Sequence, residues 1–258
     1  MLGSASEDFL MPHKDRVRIV EIVSEHVDGR LPLIVGCGDP ILRRTLQYFD
    51  DTAGMKIDAY HLLPTDGRMT ARLAYSYCKT IADRAPKPIW LYNNSARGLK
   101  IPIDVVAELK EHPNIVGTKA GSFDLKDIVP FCMMDCETFQ TVGAGGSHLP
   151  VFLGMGCDAH TASPACCFPR QFCEAFDLRQ TGRHEESRRT IFAVSHLLKA
   201  LIPDRINSEL CAEEKAVLEI LGICGRHVLA PFVPCTDEQV EQKRRILADA
   251  GILPAEVA

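Results

Sequence analysis

Short apolar runs alternate with helix-patterned stretches through the first two thirds of this chain, and that alternation limits the folds open to it. Leu31–Gly38, Ile57–Pro64, Pro88–Asn93, Ile115–Lys119, Phe139–Gly143 and Ala159–Ser163 read as strands. Ile41–Asp50, Thr70–Ala85, Pro102–Glu111 and Leu149–Gly154 read as the helices between them. Strand and helix in strict alternation predict a parallel sheet with crossover helices, either a (β/α)8 barrel or a doubly wound sheet. From Arg170 onward the strand signals stop. Phe172–Gln180, Glu185–Leu201, Ala212–Leu221 and Asp237–Ala250 read as helices. No Ser/Gly-rich linker interrupts the chain, so residues 170–258 are expected to be a helical extension of the same domain as residues 1–169.

One strand carries a residue that does not suit it. Asn114-Ile115-Val116-Gly117-Thr118-Lys119-Ala120-Gly121 is an apolar run closed by glycine, with a lysine near its end. An ammonium is costly to bury unless it is neutralised or paired. A neutral lysine amine is a nucleophile toward carbonyls, so the placement suggests a Schiff-base lysine. The other reading is a strand-end lysine reaching solvent, and the segment alone does not separate the two.

Composition excludes several function classes. A net charge of −5 gives no basic footprint for nucleic acid. No apolar run approaches a membrane span, and the first eight residues lack the basic and apolar regions of a signal peptide. The expected location is the cytoplasm. Eleven cysteines follow no metal-ligand spacing, and Cys166 and Cys167 are adjacent rather than a CxxC pair. Reduced thiols acting as small hydrophobes are expected. Gly143-Ala144-Gly145-Gly146-Ser147-His148 has a histidine where a dinucleotide loop needs glycine. His160 sits in a strand and reads as a packed or hydrogen-bonded histidine. Arg183–Arg189 is a charge run of the kind found on a solvated helix face.

Leu91-Tyr92-Asn93-Asn94 followed by Asn114-Ile115-Val116-Gly117-Thr118-Lys119 resembles the dihydrodipicolinate synthase / N-acetylneuraminate lyase superfamily, whose members are class I aldolase-type (β/α)8 barrels. Gly3-Ser4-Ala5-Ser6-Glu7 resembles the family's loop after the second strand. Leu218–Gly222 and Ala230–Pro234 match its tail in kind. The resemblance covers nearly the whole chain.

It implies a Schiff-base-forming lyase for pyruvate or a longer 2-oxo acid, with no metal and no cofactor beyond the imine at Lys119. It also implies a homo-oligomer, a tetramer by family pattern. Tyr92 would shuttle protons and position the substrate carboxylate. Ser4, and Ala5 through its N–H, would bind that carboxylate, and Arg97 would hold the carboxylate of a second substrate. Gly143 and Ala159 would line the site.

The pattern is not kept everywhere. Ser95 follows where proline is usual, Ala5 lacks the second hydroxyl of the carboxylate loop, and Pro64-Thr65-Asp66-Gly67 lacks the family's tyrosine pair. The Thr-Tyr-Tyr proton relay is therefore incomplete. This favours another lyase or hydro-lyase over dihydrodipicolinate synthase proper, and leaves a non-catalytic relative with a binding or assembly role as an alternative. Met1-Leu2-Gly3 falls at the end of the family's second strand. The expected fold is therefore a (β/α)8 TIM barrel lacking the first strand and helix, with a C-terminal helical extension.

Overall fold

The sheet has two faces of opposite character, and the register between its strands says which residues belong to each. A computed structural model of the chain describes residues 1–3, 5–64, 66–93, 98–121, 125–145, 148–202 and 210–253. Six strands, β1 (Ile34–Cys37), β2 (Ala59–Leu62), β3 (Ile89–Asn93), β4 (Ile115–Ala120), β5 (Gln140–Ala144) and β6 (His160–Thr161), pair in chain order, all parallel. On one face Val35, Cys37, Tyr60, Leu62, Ile89, Leu91, Thr118 and Thr141 are all buried, as expected of a parallel sheet covered by helices. On the other face Gly36 is in register with His61, His61 with Trp90, Trp90 with Gly117, and Gly117 with Gln140. Two residues further on, Tyr92 aligns with Lys119, and Lys119 with Val142. Side chains of successive strand residues alternate between faces, so these two rows share one side.

The helices are α1 (His13–Val27), α2 (Leu42–Thr52), α3 (Ala71–Arg84), α4 (Ile103–Leu109), α5 (Leu125–Met133) and α6 (Leu149–Gly154), then α7 (Pro169–Gln180), α8 (His184–Leu201), α9 (Leu210–Ile220) and α10 (Asp237–Asp249). Local chemistry sets several of the ends. The Thr70 hydroxyl accepts from the Leu73 N–H at 3.3 Å and starts α3. Asn114 ties the end of α3 to the start of β4 by donating to the carbonyls of Ala82 and Ala85. Thr236 and Gln239 form a reciprocal capping box on α10. Helices α1 and α5 lie outside those read from the pattern. The sixth strand is two residues long rather than five, because a 3-10 turn at Ser163–Cys166 contains Pro164, which has no N–H for the ladder.

Residues 1–3 lie beside β1. The Met1 N–H donates to the Ile34 carbonyl at 2.8 Å, and the Gly36 N–H donates to the Met1 carbonyl at 2.9 Å. That is a parallel ladder centred on Val35. It requires glycine at position 36, where a Cβ would lie 1.7 Å from the Leu2 carbonyl oxygen.

The chain forms two compact units. The first comprises Met1–Ser4, Met11–Ala144 and Val151–Thr161, and the second Ala5–Leu10, Gly145–Pro150 and Ala162–Ala258. The core of the first runs from Val20 and Val35 through Tyr60, Ile89 and Ile115 to Phe139 and Phe152. In the second, α7 and α8 form a hairpin fastened by the buried Ser187 hydroxyl, which donates to the Ala175 carbonyl at 2.6 Å. Glu213 on α9 and Lys243 on α10 are both buried and ion-paired, and Lys243 also donates to the Leu201 carbonyl. Glu7, 4% exposed, pairs with Lys215 and accepts from the Leu229 N–H.

All eleven cysteines are free, seven of them buried. The charge run at Arg183–Arg189 is an exposed face of α8 with Arg183–Glu186 and Arg188–Glu185 pairs. Among the described residues, no helix is long and apolar enough to cross a membrane.

Candidate active site

Lys119 and Tyr92 meet across the β3–β4 ladder. They are register partners near the carboxyl ends of adjacent parallel strands, with side chains on the same face. The Lys119 Nζ donates to the Tyr92 hydroxyl at 2.8 Å and lies 4.0 Å from the centre of its ring. Tyr92 is 3% exposed and Lys119 is half-buried. A primary amine thus sits beside a phenol with one side open, an arrangement able to add to a carbonyl and pass protons as it does so.

The strands hold this pair in a defined frame. Asn93, next to Tyr92, turns to the helix-covered side. It donates its side-chain amide to the Ile101 carbonyl at 2.9 Å and accepts from the Ile101 N–H at 3.0 Å. On the amine's side, Trp90 lies over Gly117, whose added Cβ would come within 2.6 Å of the indole.

His61 is the neighbour that sequence reasoning passed over. Its ring meets the Tyr92 ring edge-on, with centroids 5.4 Å apart and planes at 69°. Its Nε2 faces the Met1 carbonyl at 3.3 Å, while Nδ1 is buried without a partner among the described residues. Burial, reinforced by the positive charges of the chain's amino terminus and Lys119, pushes the imidazole down to about 3. The ring is therefore neutral at any ordinary pH. A histidine inside an apolar strand was the available signal, but the sequence offered nothing to separate it from a packed core histidine.

The other expected site residues are distributed unevenly. Gly143 and Ala159 lie together, the Gly143 N–H donating to the Ala159 carbonyl at 3.0 Å. A Cβ at Gly143 would strike Phe152 and His160, so its own Cα faces the helix-covered side. His160 packs against Phe152 at 5.7 Å, the packed role expected of it. Ala5 opens the Ala5–Leu10 segment of the second unit. Ser4, Asn94, Ser95 and Arg97 lie outside the described residues, as do Thr65, Gly146 and Ser147.

Comparison with known proteins matches this arrangement to one family. The model of the dihydrodipicolinate synthetase family aligns with residues 1–250. The chain belongs to that family. Among curated relatives, the 4-hydroxy-tetrahydrodipicolinate synthase of Methanospirillum hungatei is 25% identical over 249 residues, covering 95% of this chain and 84% of the relative. The Thermus thermophilus protein of the same name is 27% identical over 274 residues, covering 98% and 85%. Among solved structures, the dihydrodipicolinate synthase of Bacteroides thetaiotaomicron superposes with a TM-score of 0.89 at 19% identity, covering 96% of this chain and 85% of that one. A prophage protein of the family from E. coli K12, solved in complex with pyruvate, gives 0.85 at 19%, covering 98% and 85%. At these identities the structural matches establish the shared fold.

Proposed function

We propose that this family member is a Schiff-base-forming lyase that acts on pyruvate or a longer 2-oxo acid. The observation that carries the reading is the 2.8 Å contact between Lys119 Nζ and the Tyr92 hydroxyl on neighbouring parallel strands. The Lys119 amine adds to the ketone carbon, Tyr92 passes protons as the carbinolamine loses water, and the resulting iminium draws electrons from the adjacent C–C bond. The reaction takes its electron sink from the substrate itself, so the reading includes no metal and no cofactor. Ser4 and the Ala5 N–H are assigned to the substrate carboxylate, Gly143 and Ala159 to the wall of the site, and Arg97 to a second carboxylate-bearing partner. The six strands are assigned to the third to eighth positions of a (β/α)8 barrel, with residues 1–3 beside the third. Assembly as a homo-oligomer belongs to the same reading.

The names of the curated relatives favour 4-hydroxy-tetrahydrodipicolinate synthase as the specific activity. The absence of tyrosine from positions 64–67 favours another aldol lyase or a hydro-lyase of the family. The alanine at position 5 supports a non-catalytic binding or assembly role.

Borohydride reduction in the presence of pyruvate tests the central claim. The full chain is expected to gain one reduced pyruvyl adduct that peptide mapping places at Lys119, and Lys119→Ala is expected to gain none. Adduct formation undiminished in Lys119→Ala removes the assignment. Activity lost on chelation and restored by a divalent ion argues for a metal-dependent aldolase instead.

A further inference from the structure

We infer that His61 is a positioning residue for Tyr92, a neutral ring wedged beneath the phenol that fixes where its hydroxyl meets Lys119. The inference rests on the Schiff-base reading above and adds a residue that the reading does not use.

The two rows on the open face of the sheet define the geometry. Tyr92 and Lys119 occupy one row, and His61 lies in the row two residues below, in register with Trp90 on one side and Gly36 on the other. A side chain directly beneath Tyr92 on its own strand would be Trp90, but that indole leans the other way, over Gly117. The space under the Tyr92 ring on the β2 side is filled by the imidazole, edge to face. Glycines make the room for it. A Cβ on Gly36 would come within 3.1 Å of the His61 Cε1, and one on Gly3 within 3.5 Å. The imidazole is thus held by backbone on the far side and by the phenol ring on the near side, which leaves Tyr92 little freedom to tilt.

Charge supports the same role. A protonated ring here would place a second cation beside the Lys119 amine. Burial keeps the imidazole neutral, and its Nε2 is turned to the Met1 carbonyl rather than to the Lys119–Tyr92 pair. His61 therefore acts through Tyr92 by shape, without carrying a proton. A planar aromatic of similar width should do the same work, whereas a small side chain should not. Displacing a group by about 1 Å can cost on the order of 10²-fold in rate, so a loosened Tyr92 hydroxyl should slow the steps it assists.

The experiment measures the single-turnover rate of borohydride-trapped imine formation with pyruvate in wild type, His61→Ala and His61→Phe. Folded fraction is followed by circular dichroism at the same temperature. Wild-type trapping at Lys119 is the prior control: its failure would overturn the Schiff-base reading itself. Given that control, His61→Ala is expected to slow trapping roughly 10- to 100-fold while remaining folded. His61→Phe is expected to recover at least half of the logarithmic loss, with a pH profile that superimposes on wild type. The inference is overturned if folded His61→Ala traps at the wild-type rate. It is also overturned if His61→Phe is as slow as His61→Ala, because then the ring's width is not what matters. A shift of the rate–pH profile in His61→Phe overturns it too, by showing that the imidazole carries a proton.

Discussion

Replacing Tyr92 with phenylalanine separates chemistry from packing at this site. The change removes one oxygen and keeps the ring, which is 3% exposed and 4.0 Å from the Lys119 amine. The lost contact is the 2.8 Å hydrogen bond from Lys119. A hydrogen bond to a charged group contributes about 1.5–3 kcal/mol when both partners are dry. Lys119 is half-buried, so water can take the hydroxyl's place and the stability cost should fall to about 1 kcal/mol. Loss of a general acid/base costs about 10²–10⁴-fold, or roughly 3–5 kcal/mol of barrier at about 1.4 kcal/mol per decade. Tyr92→Phe should therefore lose far more activity than stability. Tyr92→Ala, which empties the ring's volume as well, should lose about 3–5 kcal/mol of stability. The assay pairs the rate of trapped imine formation with urea unfolding of each variant. A Tyr92→Phe enzyme within about threefold of wild type would show that the hydroxyl takes no part in proton transfer. A Tyr92→Phe stability loss as large as that of Tyr92→Ala would show that the packing argument is wrong.

Four further outcomes follow from the same structure. Gly36→Ala should lower the urea midpoint by an amount equivalent to at least about 1–3 kcal/mol, because the new Cβ would sit 1.7 Å from the Leu2 carbonyl oxygen; an unchanged midpoint would refute the ladder between residues 1–3 and β1. Glu213→Ala should cost about 3–5 kcal/mol by leaving the buried Lys243 charge unpaired, measured as a lowered melting temperature, and a neutral result would mean the pair is hydrated. The His61 imidazole, held at about 3 in the folded chain, binds a proton only in the unfolded chain between that pH and the ordinary histidine value of about 6.5. Its contribution therefore destabilises the fold progressively as pH falls through that window, by up to about 1.4 kcal/mol per unit, and wild type should lose more stability than His61→Phe between pH 6.5 and 4; parallel curves would refute this. Arg97→Ala should raise the KM for a carboxylate-bearing second substrate while leaving trapping of pyruvate unchanged, and an unaltered KM would remove Arg97 from the site.

The parts of the site differ in how they showed in the sequence. Lys119 stood out because a charge near the end of an apolar strand is an energetic anomaly visible in one line of residues. Tyr92 did not; an aromatic at a strand end is ordinary, and only the family motif singled it out. His61 was out of reach for a different reason. Its significance comes from lateral register with Gly36 and Trp90, and lateral register is a relation between strands that their separate sequences do not encode. The same distinction runs through the fold. Helix α6 spans Leu149–Gly154, as its pattern predicted. Helix α1 has only Val20 and Ser24 buried, too narrow an apolar stripe to stand out, and α5 carries Pro130 inside it. The expected strand at Ala159–Ser163 is ended by a proline whose effect on the ladder outweighs the residues before it.

Asn93 has a consequence for how such a protein could diversify. By gripping both backbone groups of Ile101, it ties the chain immediately after Tyr92 to the chain just before α4. Residues 94–100 are bracketed between those two knots. Substitutions or insertions there would be mechanically insulated from the strand that carries the phenol. New substrates could then be sampled by rewriting that stretch while the amine and hydroxyl keep their alignment. Asn93→Ala would remove the insulation, and changes in the bracketed stretch would begin to disturb Tyr92 itself.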